Sequence, residues 1–523
     1  MDKLSGASTH EPGQARRRSR LRGLVAASVA AALAVCGSIS TAQATTCEPT
    51  PATSGWYTGS DDTVDFKRSA DLAYEFLDER VDMYGTGSEM RLARSYQGGF
   101  FDSLPGGFVS SFLYDDALII MAYLARGLPQ DIERASALGD AFVHIQNEDP
   151  YADGRTRSSY QADSLQAGVV EIGSSSSFTG NQAWVGMALT HLYKATGEQK
   201  YLDAALRSAE WIEKNAADRG HAPYGYTGGQ NADAVPFTFK ATEHNIDIAA
   251  FFGQLAEVTG DAKWEERAAT ASDFMKAMVS EHGHLWTGTN PDGVSTNYYP
   301  VPEDPQSWSY LTALDDGYLP ALQWTVDNLH AQDGAYEGPA FSNADVSKVW
   351  FEGSGQLALA LRHADRDREY TELILRSIER AQREAPNGDG KGIVAASSDG
   401  LDTGYGDLYH SSLHTGATAW YLLALSGYNP FQVTQSQPAD AAPSDPGTCD
   451  NGENGAGGSE QGSGTSAVDG SESTTPEEDH SGTTEAGSNP TGKTPGPGKK
   501  ESEQQVEGGL RGPGLPTTGL GIL

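Results

Sequence analysis

The middle of the chain alternates between two patterns of apolar and polar residues. In the first pattern, apolar residues recur at i, i+3, i+4 and i+7 with charges on the opposite face, which predicts amphipathic helices on the outside of a core. This pattern occurs in residues 64–81, 132–145, 201–212 and 370–381. The second pattern is apolar on nearly every side and predicts buried helices. This second pattern occurs in residues 117–124, 183–192, 248–258, 356–361 and 417–425.

A repeat connects the two kinds of helix. The sequence Thr-Gly-Glu at 196–198 recurs 63 residues later as Thr-Gly-Asp at 259–261, and Ala-Asp at 364–365 is a shorter copy of the same turn. The buried helices are predicted to start near six positions, spaced 45 to 67 residues apart: Asp115, Gln182, Glu243, Ser307, Glu352 and His414. Six buried and six outer helices make six hairpins, so the sequence predicts an all-α fold.

The hairpins are predicted to close into a ring. An open array of helical hairpins needs polar capping repeats at both ends, and neither end of residues 62–431 has this character. In this architecture residues 62–431 resemble the (α/α)6 toroids of the six-hairpin glycosidase superfamily. The resemblance implies a catalytic domain with its substrate cleft at the mouth formed by the loops that enter the inner helices.

Residues 1–44 have the features of a secretory signal. Five arginines between positions 16 and 22 precede an apolar stretch, residues 24–35, and then the small-residue sequence Ala-Gln-Ala at 42–44. This arrangement predicts export with cleavage after Ala44. The apolar stretch is shorter than the roughly 18 residues that span a membrane. We therefore expect a secreted, extracellular protein in which residues 45–61 form a linker.

The composition changes abruptly near position 432. Residues 432–514 are rich in Asp, Glu, Ser, Thr, Gly and Pro, and no Trp, Tyr, Phe or Met occurs after Phe431. Such a segment buries too little apolar surface to offset its chain entropy. The sequence therefore predicts a disordered acidic spacer after the folded region.

Residues 515–523 contain the sequence Leu-Pro-Thr-Thr-Gly. It resembles the LPXTG sorting motif of Gram-positive surface proteins. The resemblance implies that sortase cleaves between Thr518 and Gly519 and joins Thr518 to peptidoglycan. The family pattern continues with an apolar span and a basic tail, whereas four residues follow here. Attachment to the cell wall and release therefore both stay open.

Removal of the signal leaves two cysteines, one on each side of the folded region: Cys47 and Cys449. In an oxidising compartment an even pair usually forms a disulfide. That bond would require the two ends of the domain to lie side by side, as they do in a closed ring. The alternative is two unrelated thiols at disordered ends.

The charge of the chain excludes several kinds of partner. The formal net charge is −35, from 36 Lys and Arg against 71 Asp and Glu. Nucleic acids and anionic membranes are bound by clusters of Lys and Arg, and none is present in the folded region. Three cysteines without a CxxC pair also argue against a thiolate metal centre. We expect a monomer that needs neither metal nor cofactor.

The predicted mouth of the ring is the candidate site. Six helix N-termini converge there, and each provides free N–H donors and a partial positive charge. Flat indole faces suit stacking on sugar rings, and histidines suit binding of hydroxyl groups or tuning of an acid. The predicted substrate-binding residues are Tyr114, Asp115, Gln182, Trp184, His244, Asn245, Trp308, Trp350 and His414.

Glycoside hydrolysis needs two carboxyl groups, one protonated and one ionised. The acids at the predicted inner-helix starts are Asp115, Asp116, Glu243, Asp247 and Glu352. The first two are consecutive and lie about 100° apart on a helix, so at most one faces the cleft squarely. We predict Glu243 as the general acid, with Asp116 or Glu352 as the base. Capping and dipole effects alone also favour acids at helix starts, and this interpretation competes with the catalytic one.

The sequence thus favours a secreted or wall-attached carbohydrate-active enzyme, a hydrolase that cleaves a poly- or oligosaccharide with two carboxylates. One alternative is a polysaccharide lyase on the same toroid. A lyase needs cations for an anionic polymer, and only Lys240 and Lys348 lie just upstream of the predicted helix starts. The other alternative is a non-catalytic surface module that binds glycan or protein and uses the ring as a scaffold.

Overall fold

The computed structural model describes residues 55–435, which form thirteen α-helices and fifteen short β-strands. The helices are α1 Phe66–Asp82, α2 Leu113–Arg126, α3 Pro129–Glu148, α4 Ala162–Gln166, α5 Thr179–Thr196, α6 Gln199–Ala216, α7 Thr242–Thr259, α8 Ala262–Ala277, α9 Asp304–Ala313, α10 Leu319–Asn328, α11 Phe351–Ala364, α12 Arg368–Glu384 and α13 Thr415–Ser426.

The strands lie in the loops and pair only antiparallel. They are β1 Tyr96–Gln97, β2 Ser110–Phe112, β3 Ser159–Gln161, β4 Ile172–Ser174, β5 Ser177–Phe178, β6 Ala217–Asp218, β7 Gly225–Tyr226, β8 Gly229–Gln230, β9 Gly288–Thr289, β10 Thr296–Asn297, β11 His330–Asp333, β12 Tyr336–Pro339, β13 Leu401–Asp402, β14 Leu408–Tyr409 and β15 Leu413–His414.

The long helices alternate between two layers. In α2, α5, α7, α11 and α13 most residues are buried on every side, and in α9 the first eight are. In α1, α3, α6, α8, α10 and α12 one face is buried and the other is exposed. The predicted alternation of inner and outer helices is confirmed, and the inner helices begin within three residues of the predicted positions.

The six inner helices form a closed ring. Each packs against the next in the order α2, α5, α7, α9, α11, α13, and α13 packs back against α2. Each of the first five also packs against the outer helix that follows it, while α13 packs against α1. The fold is therefore an (α/α)6 toroid. No capping repeat is needed because the last hairpin combines the final helix with the first one.

Every inner helix ends on a residue in the left-handed conformation. Four of these residues are glycines, Gly127, Gly197, Gly260 and Gly427, with φ between 66° and 73°. Glycine suits this position because it has no Cβ to clash with the preceding carbonyl. The other two, Leu314 and Asp365, adopt φ of 47° and 50°. The predicted Thr-Gly turns and the shorter copy at 364–365 are therefore the same structural turn.

The end of the ring opposite the helix N-termini is closed by the chain that follows α13. The ring of Phe431 lies 5.3 Å from that of Trp184 and 5.6 Å from that of Trp308. Gln254 in α7 donates to the carbonyl of Pro430 at 3.0 Å. The chain that follows α13 therefore covers the centre of the ring at this end.

The packed part of the chain extends beyond the predicted limits 62–431. The backbone N–H of Tyr57 donates to the carbonyl of Leu425 at 2.7 Å, and Arg362 donates to the carbonyl of Gly55 at 2.8 Å. No helix among residues 55–435 has the length and apolar character to cross a membrane. The predicted signal, both cysteines, most of the spacer and the sorting motif with Thr518 and Gly519 lie outside the described residues.

Candidate active site

Helical periodicity sorts the side chains at the mouth into two groups. The second and sixth residues of an inner helix lie about 40° apart around its axis, whereas the fourth lies about 200° from the second. Tyr114, Glu243 and Glu352 are second residues, and Trp184 and Asp247 are sixth residues. The second and sixth positions face the interior of the ring, where Tyr114 donates to Glu352 and Trp184 packs against Trp308.

The fourth residues instead bind the backbone of the loops. Asp116 accepts a hydrogen bond from the N–H of Ala93 at 3.0 Å and another from the hydroxyl of Ser111. Gln182 accepts from the N–H of Thr156 at 3.1 Å and returns a bond to its carbonyl at 2.7 Å.

Asn245 makes the same contact in the next hairpin. It accepts from the N–H of Tyr226 at 2.8 Å and donates to its carbonyl at 3.0 Å. Asp116, Gln182 and Asn245 were predicted as base or substrate ligands. In the structure their side chains bind the loops that shape the mouth, and their roles as base or substrate ligands stay predictions.

Six buried or nearly buried carboxyl groups meet inside the mouth. They form the acid cluster: Asp115, Glu243, Asp247, Glu303, Asp304 and Glu352. They come from four inner helices or the residue just before one. The side chain of Glu243 keeps 13% of its surface exposed, while the other five residues are at most 1% exposed. Glu243 is therefore the member of the cluster that is most accessible to solvent.

Burial dominates the acid–base chemistry of the cluster. It raises the pKa of Glu243 to about 8. It also raises the pKa of Asp304 well above its usual value, and the negative charges of Glu243 and Glu303 add to that effect. Charged carboxylates lose hydration in such a site, so the neutral form is favoured. At neutral pH the cluster holds protonated carboxyl groups, which can act as acids.

Glu352 lies in a different environment within the cluster. The hydroxyl of Tyr114 donates to Glu352 Oε1 at 2.6 Å, and the indole N–H of Trp420 donates to the Tyr114 hydroxyl at 2.8 Å. Burial raises the pKa of Glu352, whereas the charge of His414 and the Tyr114 hydrogen bond oppose that rise, so the pKa is about 7. Because its pKa is lower than that of Glu243, Glu352 ionises more readily.

His414 lies between two members of the acid cluster. Its Nε2 is 3.3 Å from Asp115 Oδ1, and its Nδ1 is 3.5 Å from Glu352 Oε2. The ring of Tyr96 stacks on it with centroids 4.2 Å apart. Burial lowers the pKa of His414, but the charges of Asp115 and Glu352 outweigh burial and raise it. The neutral ring accepts the N–H of Ala417 at Nδ1, 3.3 Å away. A positive charge on His414, which would stabilise an ionised Glu352, requires this contact to be given up.

His244 adjoins Glu243 and is held by a threonine. Thr179 donates its hydroxyl proton to the carbonyl of Thr227 at 2.9 Å, and its oxygen lies 3.1 Å from His244 Nδ1. Because that proton is already committed, the Thr179 oxygen accepts a hydrogen bond from the N–H at Nδ1 of His244. The His244 Nε2 atom lies 3.5 Å from Glu243 Oε1. This geometry places an acceptor nitrogen beside the carboxyl group of Glu243.

Three tryptophans from alternate inner helices meet on the ring axis. Trp184 and Trp308 have ring centroids 5.4 Å apart, and each lies about as close to Trp420, at 6.0 and 6.2 Å. All three are fully buried. The indoles therefore form a floor beneath the acid cluster, and neither Trp184 nor Trp308 presents an open face for stacking. Trp350 packs outside this group, 4.8 Å from Phe341.

Glu303 and Asp304 were missed by the sequence analysis. The fourth inner helix was predicted to start near Ser307, but it begins at Asp304 with Pro305 as its second residue. Proline is favoured at the start of a helix, and this signal would have moved the start by three residues. Burial raises the pKa of Glu303 to about 8, and the hydroxyl of Ser307 donates to its carboxylate.

Tyr405 lies in the loop between β13 and β14 and closes part of the mouth. Its hydroxyl lies 2.7 Å from that of Thr287. Burial raises the pKa of the Tyr405 phenol, and the charges of Glu243 and Asp304 raise it further.

Among residues 55–435, no group of three or more His, Cys, Asp or Glu is arranged to hold a metal ion.

Solved structures of similar shape come from sugar-processing enzymes. A D-mannose isomerase aligns with a TM-score of 0.51 and 12% identity over 70% of this chain and 96% of that chain. A glycosidase variant in complex with glucose aligns with a TM-score of 0.51 and 14% identity over 71% of this chain and 99% of that chain. Cellobiose 2-epimerase from Spirochaeta thermophila aligns with a TM-score of 0.50 and 12% identity over 71% of this chain and 98% of that chain. No protein-family model and no curated protein matches the sequence. At such low identity these likenesses establish the toroid fold alone.

Proposed function

We propose that this protein is a carbohydrate-active enzyme that hydrolyses glycosidic bonds in a poly- or oligosaccharide. The observation that carries the proposal is the pair Glu243 and Glu352. One is a carboxyl group that burial keeps protonated, and the other has hydrogen-bond and charge partners that favour its ionised form. Glycoside hydrolysis needs these two states in one cleft.

In this proposal Glu243 is the general acid. It is the most accessible member of the acid cluster, and a pKa of about 8 keeps it protonated at neutral pH. It gives its proton to the oxygen of the leaving sugar as the glycosidic bond breaks. Glu352 then acts as the base that activates water or as the nucleophile. The sequence left Asp116 and Glu352 open for this role, and the loop contacts of Asp116 favour Glu352.

The proposal is tested with the full chain and a panel of neutral and acidic plant, fungal and bacterial glycans, by assay of released reducing ends. We expect release by the parent, and a loss of about 10²-fold or more in Glu243→Gln and in Glu352→Gln. If both variants cleave as well as the parent, the assignment of these residues is wrong. If no glycan is cut but one is retained by the protein, the binding-module alternative replaces the enzyme.

A second candidate function is isomerisation or epimerisation of a sugar. It is favoured by His414, which lies between Asp115 and Glu352. In this function the imidazole would remove a proton from one carbon of a ring-opened sugar and return it to the neighbouring carbon for isomerisation, or to the opposite face of the same carbon for epimerisation. Enzymes of these kinds also share the fold. The same incubation separates the two functions, because isomerisation changes the identity of a free sugar without shortening any chain.

A lyase is less favoured by the positions of the two upstream lysines. Lys240 is buried, lies 2.8 Å from Asp218 and donates to two backbone carbonyls. Lys348 lies 3.8 Å from Asp345. Neither cation is available for the carboxylate of a uronate. Release of products that absorb as a new carbon–carbon double bond would reverse this conclusion.

We also propose that the enzyme acts outside the cell, on the basis of residues 1–44 and the motif at 515–519. The test is to detect the protein in culture medium and in wall fractions before and after digestion of peptidoglycan. Material in the medium supports release, and material freed only by digestion supports sortase attachment. Retention in the cytoplasm would contradict the proposal.

A further inference from the structure

Three neighbouring aromatic side chains lie on the loop before α9. They form the aromatic platform: Trp286, Tyr298 and Tyr299. Tyr298 is 62% exposed and Tyr299 is 59% exposed. The half-buried ring of Trp286 stands edge-on to Tyr298, with centroids 5.0 Å apart and an interplanar angle of 90°. Single exposed aromatic residues are common on protein surfaces, but here two consecutive tyrosines are exposed, and the first of them packs against a tryptophan.

The loop that carries the platform is firmly anchored. Its hairpin pairs β9 with β10, and buried Lys240 donates to the carbonyl of Gly293 at 2.8 Å. Asp292 caps the turn by accepting from the N–H groups of Val294 and Ser295, both at 2.9 Å. A surface that is ordered in advance loses little entropy when it binds a ligand. The platform therefore has the rigidity expected of a binding site.

The platform adjoins the candidate active site. The hydroxyl of Thr242 donates to the carbonyl of Trp286 at 2.6 Å, and its N–H donates to the carbonyl of Thr287 at 2.8 Å. Thr242 is the first residue of α7 and is followed by Glu243. Thr287 also contacts Tyr405, and the negative charge of Glu243 raises the pKa of the Tyr405 phenol. The loop that bears the platform and the carboxyl group thus share one edge of the mouth.

We infer that the aromatic platform is a binding subsite for sugar residues of a neutral glycan chain. The inference rests on the proposed function and adds the substrate class, namely a chain of several uncharged sugars that extends from the acid cluster across Tyr298 and Tyr299. Aromatic faces carry partial negative charge and attract the C–H groups of a sugar ring. The nearby cation, Lys240, is buried and paired with Asp218, so it is not available to bind uronate carboxylates.

The test uses native gel electrophoresis of the full chain in gels that contain hydroxyethylcellulose, soluble starch, mannan, xylan or polygalacturonate. This readout needs no catalysis. We expect at least one neutral polymer to retard the parent and polygalacturonate to leave it unretarded. In the double variant Tyr298→Ala and Tyr299→Ala, affinity for the retarding polymer should fall about tenfold or more, because two aromatic contacts are lost.

Two further variants make the result specific. The double variant Tyr298→Phe and Tyr299→Phe keeps both rings and should bind like the parent. Leu128→Ala removes an exposed apolar side chain from the opposite end of the ring, beside the turn that follows α2, and should also bind like the parent. Both tyrosines are exposed, so thermal unfolding should show that all variants fold.

The outcomes for the subsite and for the enzyme are distinguishable. Retardation that is lost in the alanine variant while no glycan is cleaved supports the subsite and contradicts the proposed hydrolase. Cleavage by the parent with unchanged retardation in the alanine variant overturns the subsite and leaves the hydrolase. Absence of retardation by every neutral polymer also overturns it. So does a change in oligomeric state of the alanine variant in sedimentation, since the platform would then be a contact between copies of the chain.

Discussion

Tyr114 donates a hydrogen bond of 2.6 Å to Glu352, and this contact joins the first inner helix to the fifth across the interior of the ring. The indole of Trp420 orients the Tyr114 hydroxyl by donating to it at 2.8 Å. Because Tyr114 stabilises the ionised form of Glu352, it opposes the rise in pKa that burial causes. Tyr114 is therefore a positioning residue that sets the protonation state of the proposed base.

The variant Tyr114→Phe tests this role. Without the hydroxyl, the pKa of Glu352 should rise, and the acidic limb of the pH–activity profile should move to higher pH. We expect kcat at neutral pH to fall by about tenfold. Tyr74→Phe is the matched control, because it removes a buried hydroxyl that donates to the carbonyl of Ala122 at 2.8 Å. An acidic limb that moves equally in both variants would contradict the assignment.

If Glu243 and Glu352 have the proposed roles, the parent protein should cleave glycans only in a narrow range of pH. Glu352 must be ionised and has a pKa of about 7, whereas Glu243 must be protonated and has a pKa of about 8. Activity should therefore rise as pH increases through about 7 and fall as it increases through about 8, which gives a bell-shaped profile. Measurement of kcat/KM from pH 5 to 10 checks this expectation. A profile that stays flat to pH 10 would exclude Glu243 as the general acid.

The buried acid Glu303 should make folding stability depend on pH. Burial raises the pKa of Glu303 from 4.5 to about 8 in the folded protein. Between these values the folded state binds more protons than the unfolded state, so this contribution to stability is complete below about pH 4.5 and is lost as pH rises to about 8. Glu303→Gln carries no such charge. It should therefore gain stability relative to the parent as pH increases across this range.

Thermal unfolding of the parent and of Glu303→Gln at pH 5 to 9 measures this difference. The amide can still accept the hydrogen bond from Ser307, so the two proteins should be similar at pH 5. Glu148→Gln, on the exposed surface of α3, is the control substitution and is measured at the same pH values. A constant difference between Glu303→Gln and the parent at every pH would contradict the linkage.

The helices and their layers could be predicted from the sequence because burial imposes a periodicity on apolar residues. The closed ring also followed, since both ends of the region lack caps. The split among polar residues at the mouth could not be predicted as easily. Asp115 and Asp116 are adjacent and chemically alike, and only the rotation of α2 decides that Asp115 meets His414 while Asp116 binds Ala93.

The helix starts limited what could be predicted of the site. An error of two or three residues at the N-terminus of an inner helix changes which position faces the ring interior. For α7 the predicted start was one residue from the observed one, and Glu243 is the second residue of that helix. For α9 the error was three residues, and Glu303 and Asp304 were missed. Contacts from distant loops, such as that of Tyr405 with Thr287, leave no local signal.

Asp116 should be replaceable without loss of the proposed chemistry. Burial raises its pKa well above the usual value, so asparagine resembles its protonated form. In Asp116→Asn the amide oxygen can accept from Ala93 and the amide nitrogen can donate to Ser111. We expect this variant to keep most of the activity, in contrast to Glu352→Gln. Loss of activity in a folded Asp116→Asn variant would restore Asp116 as the base.

Asp116→Ala should affect stability, since it leaves the buried N–H of Ala93 without its acceptor. An unpaired buried donor costs about 1–3 kcal/mol in the free energy of unfolding. Urea denaturation of the alanine and asparagine variants measures the difference. Equal stability of the two variants would contradict the structural role assigned to this side chain.

Thr179 should control the protonation of Glu243 through His244. Its oxygen lies 3.1 Å from His244 Nδ1 and fixes the proton on that nitrogen, so Nε2 faces Glu243 as an acceptor. In Thr179→Val the proton is free to move to Nε2, from which it can donate to ionised Glu243. The pKa of Glu243 should then fall, and the basic limb of the pH–activity profile should move to lower pH. Thr179→Ser keeps the hydroxyl and should keep the parent profile. If the valine and serine variants have the same basic limb, His244 does not tune the acid, because loss of packing alone would reduce activity without moving that limb.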